Sequence, residues 1–239
     1  KLEEATAAIK QIAKSGKKIS FVATKKQAKE IVANAAKSVG MPYITERWPG
    51  GMLTNFATQR KSVKKMTGFD RFMKDESFNN ISKKERLQVS RQKAKMEKLI
   101  GSIADLTRLP AALFIVDVLK EHIAVSEAQK LGIPTIAICD TNTDPTLIDF
   151  PVPANDDATK SISLIMNAMI KAIEEGLEER KMDKEADRER EAAAEEESGE
   201  RGDGEKEFVM SEEGDDSGEG KSKAPAKKAT TRSRKPTTR

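Results

Sequence analysis

Arg60, Lys61, Lys64 and Lys65 recur three and four residues apart, and Arg91, Lys93 and Lys95 follow in the run "RQKAK". On a helix such spacing puts several cations on one face. A face of that kind does no acid–base chemistry. It neutralises phosphates, and the counterions released make binding strong and salt-sensitive. Between Arg47 and Lys98 the chain carries 14 Lys and Arg against 5 Asp and Glu, a net of +9. Balanced charge would mean an ordinary solvated surface; this imbalance points to a polyanion, and a long helix pair suits the shape and backbone readout of folded RNA.

Four other stretches bear on function. "RWPGGMLTN" holds the only tryptophan, with Arg47 in front. Pro49 stiffens the entry and biases Trp48 to an extended shape. Gly50 and Gly51 supply a hinge, and Thr54 or Asn55 is placed to cap a following helix. Two roles are open to Trp48, anchoring the hinge to a core or stacking on a base, and anchoring is preferred; Arg47 is the better RNA candidate. "VATKKQA" sits where doubly wound folds cradle phosphate, at a strand-to-helix turn. It has no GxGxxG and no Walker lysine motif, so Lys25 and Lys26 are either solvated or in contact with RNA phosphate. "CDTNTDP" and "NDD" bring Asp140, Asp144, Asp156 and Asp157 near two strand ends. Such carboxylates can serve acid–base work or hold a hard cation, which makes Asp140, Asp156 and Asp157 weak metal candidates. Turn-making by Asp144-Pro145 and helix capping by Asn155–Asp157 is the preferred reading. One histidine, His122, expected at a helix start, and one cysteine, Cys139, leave no nucleophile–base–orienter set to assemble.

Charge is unevenly placed. Residues 1–173 carry a net of +10, residues 174–218 a net of −13 and residues 219–239 a net of +7, together the overall +4. The basic body suits a polyanionic partner. A lone cysteine excludes an internal disulfide and fits a reducing compartment. No apolar run approaches the roughly 20 residues of a membrane span, and no secretory signal pattern opens the chain. The first residue is not methionine, which leaves room for residues upstream.

The elements that must position these residues follow from periodicity. Leu2, Ala5, Ile9 and Ile12 predict a helix ending near Gly16. Strands are expected at "KKISFVATK", "MPYITE", "ALFIVD", "PTIAICD" and "FPVP". Helices are expected after a capping box at Thr24–Gln27, running to about Gly40, and from about His122 to Leu131, with Gly132 closing it. A last helix from about Asp156 presents Ile162, Ile165, Met166, Met169, Ile170, Ile173 and Leu177 on one stripe. This alternation predicts a doubly wound α/β fold with a parallel sheet and helices on both faces. About sixty residues between the second and third strands are too many for a crossover. Leu53, Phe56, Val63, Met66 and Phe69 or Met73 give one seam, and Leu87, Ala94, Leu99, Ile100 and Ile103 a second. A polar tip, "KDESFNNISKKE", joins them into an antiparallel helical hairpin projecting from the sheet domain. The expected domains are 1–46 with 106–178 for the sheet, 47–105 for the hairpin, and 179–239 for a charged tail. That tail continues at first as a solvated helix and is disordered from "SGERGDGEKEF" on.

The stretches "FVATKKQAKEIVANAAKSVGMPYITERWPGGMLTNFATQR", "RLPAALFIVDVLKEHIAVSEAQKLGIPTIAICDTNTDP" and "FPVPANDDATKSI" resemble the bacterial small-subunit ribosomal protein S2 family, from about Leu2 to about Ile173. The run Met41–Asn55 and the DTNTDP…NDDA pair carry the most specificity. The resemblance implies a flavodoxin-like five-stranded parallel sheet with an inserted coiled-coil hairpin. It implies a cytoplasmic, non-enzymatic constituent of the small ribosomal subunit that binds its rRNA near the head–body junction. It also implies neighbouring ribosomal proteins as partners, including the mRNA-binding protein S1, with no cofactor, membrane or small-molecule substrate. The alternative is a nucleotide- or metal-binding α/β enzyme using the strand carboxyl ends. Departures are specific. The family's N-terminal segment is absent, Pro49 stands where Leu is common, "VDVLKEH" replaces "VDPRKEH", and the tail is longer than the family requires.

Overall fold

Five short strands carry the architecture: β1 (Ile19–Val22), β2 (Tyr43–Ile44), β3 (Ala112–Val116), β4 (Thr135–Cys139) and β5 (Phe150–Pro153). They form one parallel sheet in the order β2-β1-β3-β4-β5. The computed structural model describes residues 1–75 and 77–203. Around the sheet stand α1 (Leu2–Lys14), α2 (Lys29–Ser38), α6 (His122–Leu131) and α7 (Thr159–Asp203). Between β2 and β3 come α3 (Phe56–Lys74), the four-residue α4 (Ser77–Asn80) and α5 (Lys83–Ile100). Among the described residues no helix is long and apolar enough to cross a membrane.

Strand side chains alternate between faces, and both faces here are buried. Phe21, Phe114, Ile136 and Ile138 face a core built with Ala5 and Ile9 of α1, Val32 and Ala36 of α2, and Ile162, Met166 and Met169 of α7. The Phe21 and Phe114 rings lie 5.4 Å apart. Leu113, Ile115 and Ala137 face a second core containing Ala124, Val125 and Ala128 of α6. That face is completed by the root of the insertion: Trp48, Met52, Leu53, Val63, Met66, Ile100 and Ile103. The insertion therefore begins as part of the body. Its lower turns supply apolar cover that an ordinary crossover helix would otherwise give.

α3 and α5 run against each other in opposite directions. Arg60 reaches the carbonyl of Leu106 (2.8 Å), and further out Asp70 pairs with Lys93 (2.5 Å). Beyond the root, none of the described residues from 67 to 99 is fully buried. The half-buried positions of α5 are Arg86, Val89, Lys93, Met96 and Leu99; the expected second seam holds at Leu99, Ile100 and Ile103 and is displaced further out. Leu87 is 51% exposed and Ala94 is exposed. The facing row is set by the 3–4 alternation of the helix pair, and it admits polar side chains that an apolar template passes over. α5 is opened by a capping box: the Ser82 hydroxyl accepts from the Glu85 amide and the Glu85 carboxylate accepts from the Ser82 amide.

Three expected caps differ. Ala28, without a side-chain acceptor, stands at the N-cap of α2; the Thr24 hydroxyl donates instead to the buried Glu121 carboxylate. Asn55 occupies the N-cap of α3 but makes no capping bond, its amide oxygen accepting from the Thr58 hydroxyl (2.8 Å). Thr54 donates from both its amide and its hydroxyl to Glu127. In two of these a nearby carboxylate, a stronger acceptor than a neutral oxygen, takes the hydroxyl. α7 extends through Ser198–Asp203, past the expected start of disorder; the tail from Gly204 onward lies outside the described residues.

On the opposite face a close crossing ties α1 to α7. A Cβ on Gly176 would stand 2.5 Å from the Lys10 carbonyl oxygen, so only hydrogen fits. Lys10 and Lys14 then reach Glu175, Glu179 and Asp183. These pairs are largely exposed and contribute little individually; the close backbone approach fixes the crossing.

Candidate nucleic-acid interface

The hinge stretch is organised by a residue the sequence analysis did not single out. Glu127 of α6 is 6% exposed and accepts five hydrogen bonds. The Trp48 indole N–H (3.2 Å) and the Gly51 amide (2.7 Å) donate to Oε1. The Leu53 amide (2.9 Å), the Thr54 amide (3.1 Å) and the Thr54 hydroxyl (3.2 Å) donate to Oε2. Burial alone would push this carboxyl up, but the three amides and the indole outweigh it and hold Glu127 below the usual range. Only Gly51 of the glycine pair takes a left-handed conformation (φ 79°), which turns the chain so that amides on both sides of it point at one carboxylate. Trp48 is 4% exposed, so of its two open roles the structure shows the anchor: the ring lies in the second core and its N–H is satisfied.

Glu127 had a readable signal. It lies three residues after Ala124 and two after Val125, on the buried stripe of α6. A carboxylate on an apolar face is bound to have donors waiting for it. The donors themselves lie 73 to 79 residues away in sequence, and nothing local identifies them.

From this anchored root the cations of the helix pair extend outward. Lys61, Lys64 and Lys65 on α3 and Arg91 and Lys95 on α5 are exposed, as are Arg47 and Lys26. Arg91 and Lys95 share one strip of α5 with Lys84 and Leu87, around a cavity of ≈ 380 Å³. Lys65 lies 5.9 Å from the centre of the Phe69 ring. Three of the candidate cations have partners inside the chain. Arg60 donates to Leu106 and Lys93 to Asp70, which raises the Lys93 ammonium above its ordinary range.

Lys25 is the third. Its ammonium meets Asp157 at 2.6 Å, Asp156 at 2.8 Å and Asp117 at 3.5 Å. Burial works against the charge, but hydrogen bonds to Asp156 and Asp157 and the charges of Asp156 and Asp117 win, and Lys25 stays well above the ordinary lysine range. Asp117 is held at φ 70°, with its side chain accepting from the Lys120 amide (3.1 Å) and its carbonyl from the Glu121 amide (3.1 Å). Lys120 in turn reaches the Thr24 carbonyl (3.2 Å). These groups sit at the carboxyl ends of β1 and β3, where the strand order reverses and doubly wound folds usually seat a ligand. Here the chain's own ammonium fills that position.

The remaining carboxylates serve turns. Asp144 accepts from the Thr146 amide at the head of a short 3-10 turn opened by Pro145. Asn155 accepts from the amides of Asp157 and Ala158 just before α7. The Thr141 amide holds Asp140 below the usual carboxylate range. Asp156 and Asp157, two of the weak metal candidates, are the partners of Lys25, and among the described residues no three His, Cys, Asp or Glu side chains gather as a metal site. Burial pushes the Cys139 thiol up, away from the thiolate a nucleophile needs. His122 begins α6, its Nδ1 3.3 Å from the Leu119 carbonyl. Leu119 is 60% exposed.

Residues 1–176 match the model of the family described as Ribosomal protein S2. The small ribosomal subunit protein uS2 of Phocaeicola vulgatus is 65% identical over 184 residues, which is 77% of this chain and 66% of that relative. The uS2 protein of Bacteroides fragilis gives the same figures. That of Cytophaga hutchinsonii is 63% identical over 184 residues, 77% of this chain and 72% of its own. The chain thus spans just under two thirds of the length of the first two relatives.

Proposed function

The chain belongs to the ribosomal protein S2 family, and from that premise we propose that it is a structural, non-catalytic constituent of the small ribosomal subunit in the bacterial cytoplasm. It holds small-subunit rRNA through the cations of the α3–α5 pair. The observation that carries this reading is a row of exposed cations, with no carboxylate at ion-pair distance among the described residues, on two helices whose root is built into the hydrophobic core. Lys61, Lys64, Lys65, Arg91 and Lys95 contact phosphates, with Arg47 at the root and Lys26 on the body. Arg60, Lys93 and Lys25, each with an internal partner, act by fixing the geometry of their neighbours.

In this reading the chain has three parts: the sheet domain (1–46 and 106–178), an inserted arm (47–105) and a charged tail (179–239). The arm is a coiled-coil hairpin. The 3–4 alternation of half-buried positions, Arg86, Val89, Lys93 and Met96 on α5, supports a heptad-like seam. Docking of neighbouring ribosomal proteins, the mRNA-binding protein S1 among them, rests on the family resemblance. An enzymatic role at the strand ends has no support, since the Lys25 ammonium is held there by Asp117, Asp156 and Asp157.

Charge reversal of Lys61, Lys64 and Lys65 together tests the reading. Every phosphate that is no longer neutralised lowers the log–log salt slope by about 0.7 to 0.9, so the triple variant should bind small subunits more weakly and with a flatter salt dependence. An unchanged slope counts against it. Co-sedimentation of the tagged chain with small subunits on a sucrose gradient tests the location; a chain that stays at the top of the gradient is not a subunit component.

A further inference from the structure

All five strands are parallel, so the sheet has one edge of strand starts and one of strand ends, and the two differ in charge. At the strand ends Asp117, Asp156 and Asp157 surround Lys25 and Glu121 lies against Thr24, so carboxylates outnumber cations there even with the exposed Lys26 and Lys120 counted. At the strand starts, Lys17 and Lys18 precede β1, Lys37 ends α2 ahead of β2, and Arg108 precedes β3. All four are exposed, and among the described residues none has a carboxylate at ion-pair distance; Lys18 donates one bond to the Gly40 carbonyl (2.7 Å), which leaves its charge uncompensated. One acidic side chain, Asp105, lies beside them.

These cations are joined in space. The Ala111 amide donates to the Lys18 carbonyl (2.8 Å), which binds the loop bearing Arg108 to the loop bearing Lys17 and Lys18. Lys18 and Lys37 line one cavity of ≈ 260 Å³ with Asp105 and Leu106. The Leu106 carbonyl is the one that holds Arg60 at the arm root. The strand-start edge therefore adjoins the arm root through Leu106. Helix-end electrostatics account for part of its charge: Lys37 lies in the last turn of α2, where a cation offsets the macrodipole, and it also lies 5.7 Å from the centre of the Tyr43 ring. They do not account for Lys17 or Arg108, which end no helix.

We infer that the strand-start edge, through Lys17, Lys18, Lys37 and Arg108, is a second RNA-backbone contact, next to the arm root and on the side of the sheet opposite to the usual ligand site of doubly wound folds. This rests on the reading of the chain as an rRNA-binding protein and extends it from the arm to the body. Sequence specificity is not expected of it, since these side chains offer phosphate neutralisation rather than base readout.

The test uses the full chain and purified small subunits lacking it, with affinity measured across a range of KCl concentrations. The variant Lys17→Glu/Lys18→Glu/Arg108→Glu should bind about tenfold more weakly and lower the salt slope by about 2. The milder Lys17→Gln/Lys18→Gln/Arg108→Gln should show the same slope change in a chain that melts with the wild type, which guards against misfolding. A photo-crosslinking residue at the exposed Thr107 should capture rRNA. Wild-type binding by the edge variants, while the Lys61/Lys64/Lys65 reversal still weakens binding, overturns the inference and leaves the arm reading intact. Wild-type binding by both sets overturns both. Capture of protein rather than RNA at position 107 assigns the edge to a protein neighbour and also overturns the inference.

Discussion

The sheet body and the α3–α5 pair are made from similar helices but stabilised in different ways. In the body, Phe21, Ile9, Ile136 and Met166 are fully buried, and the buried charged groups Asp117, Glu121, Glu127 and Asp156 have partners in the chain. In the arm, from residue 67 to 99, no described residue is fully buried and most cations face solvent. The body therefore carries its stability internally. The arm draws its position from its root and leaves most of its charge in solvent. A surface whose cations are uncompensated costs the folded state little when the side chains are solvated, and it is worth most when a polyanion arrives.

Substitutions can break this contrast or sharpen it. The largest effect belongs to the body: Phe114→Ala should cost about 3–5 kcal/mol and lower the urea midpoint of the whole sheet domain. A loss under about 1 kcal/mol would mean that the body is not the stable part.

The junction comes next. Glu127→Ala leaves the Trp48 indole and the Gly51, Leu53 and Thr54 donors unpaired, at about 1–3 kcal/mol or more for buried groups. Amide exchange at Gly51 and Leu53 should accelerate far more than at β3. The sign of its pH dependence follows from a carboxyl held below its unfolded value: the stabilisation is present above about pH 4.5 and is lost as pH falls through the lower folded value. Glu127→Gln should lack that acid-side loss, measured as a flatter stability profile between about pH 5 and 3.

Gly176→Leu should follow, at about 1–3 kcal/mol for overpacking, read as a drop in melting temperature; a neutral result would deny the close α1–α7 crossing. The smallest effect belongs to the arm. Lys93→Ala removes a partly exposed pair with Asp70 and should barely lower the melting temperature. A larger loss would make the arm self-stabilised and erase the contrast.

Most of the fold was legible along the chain. The near-continuous apolar run of β3, the stripe from Ile162 to Leu177 and the stop at Gly132 are local patterns, and local backbone and side-chain periodicity generates them. Two kinds of feature were not. The outer seam of α5 contains Arg86 and Lys93, which an apolar template rejects. The caps expected at Thr24 and Thr54 gave way to carboxylates from distant parts of the chain. Ser82 and Glu85 form a capping box that the expected polar tip passed over, although its Ser-x-x-Glu spacing is local.

The site divides along the same line. The excess of cations is a sum over composition, so the sequence by itself determined it, together with the alternation of strands and helices and the place of the insertion between β2 and β3. Which cations have partners is a matter of distances near 3 Å between residues far apart in the chain: Lys25 with Asp156, 131 residues away, or Glu127 with the loop around Gly51. Only the packing of the helices on the sheet sets such distances. Ion pairs and buried hydrogen bonds fall off steeply with separation, so the tertiary structure alone decided which charges serve the fold and which remain exposed for a partner.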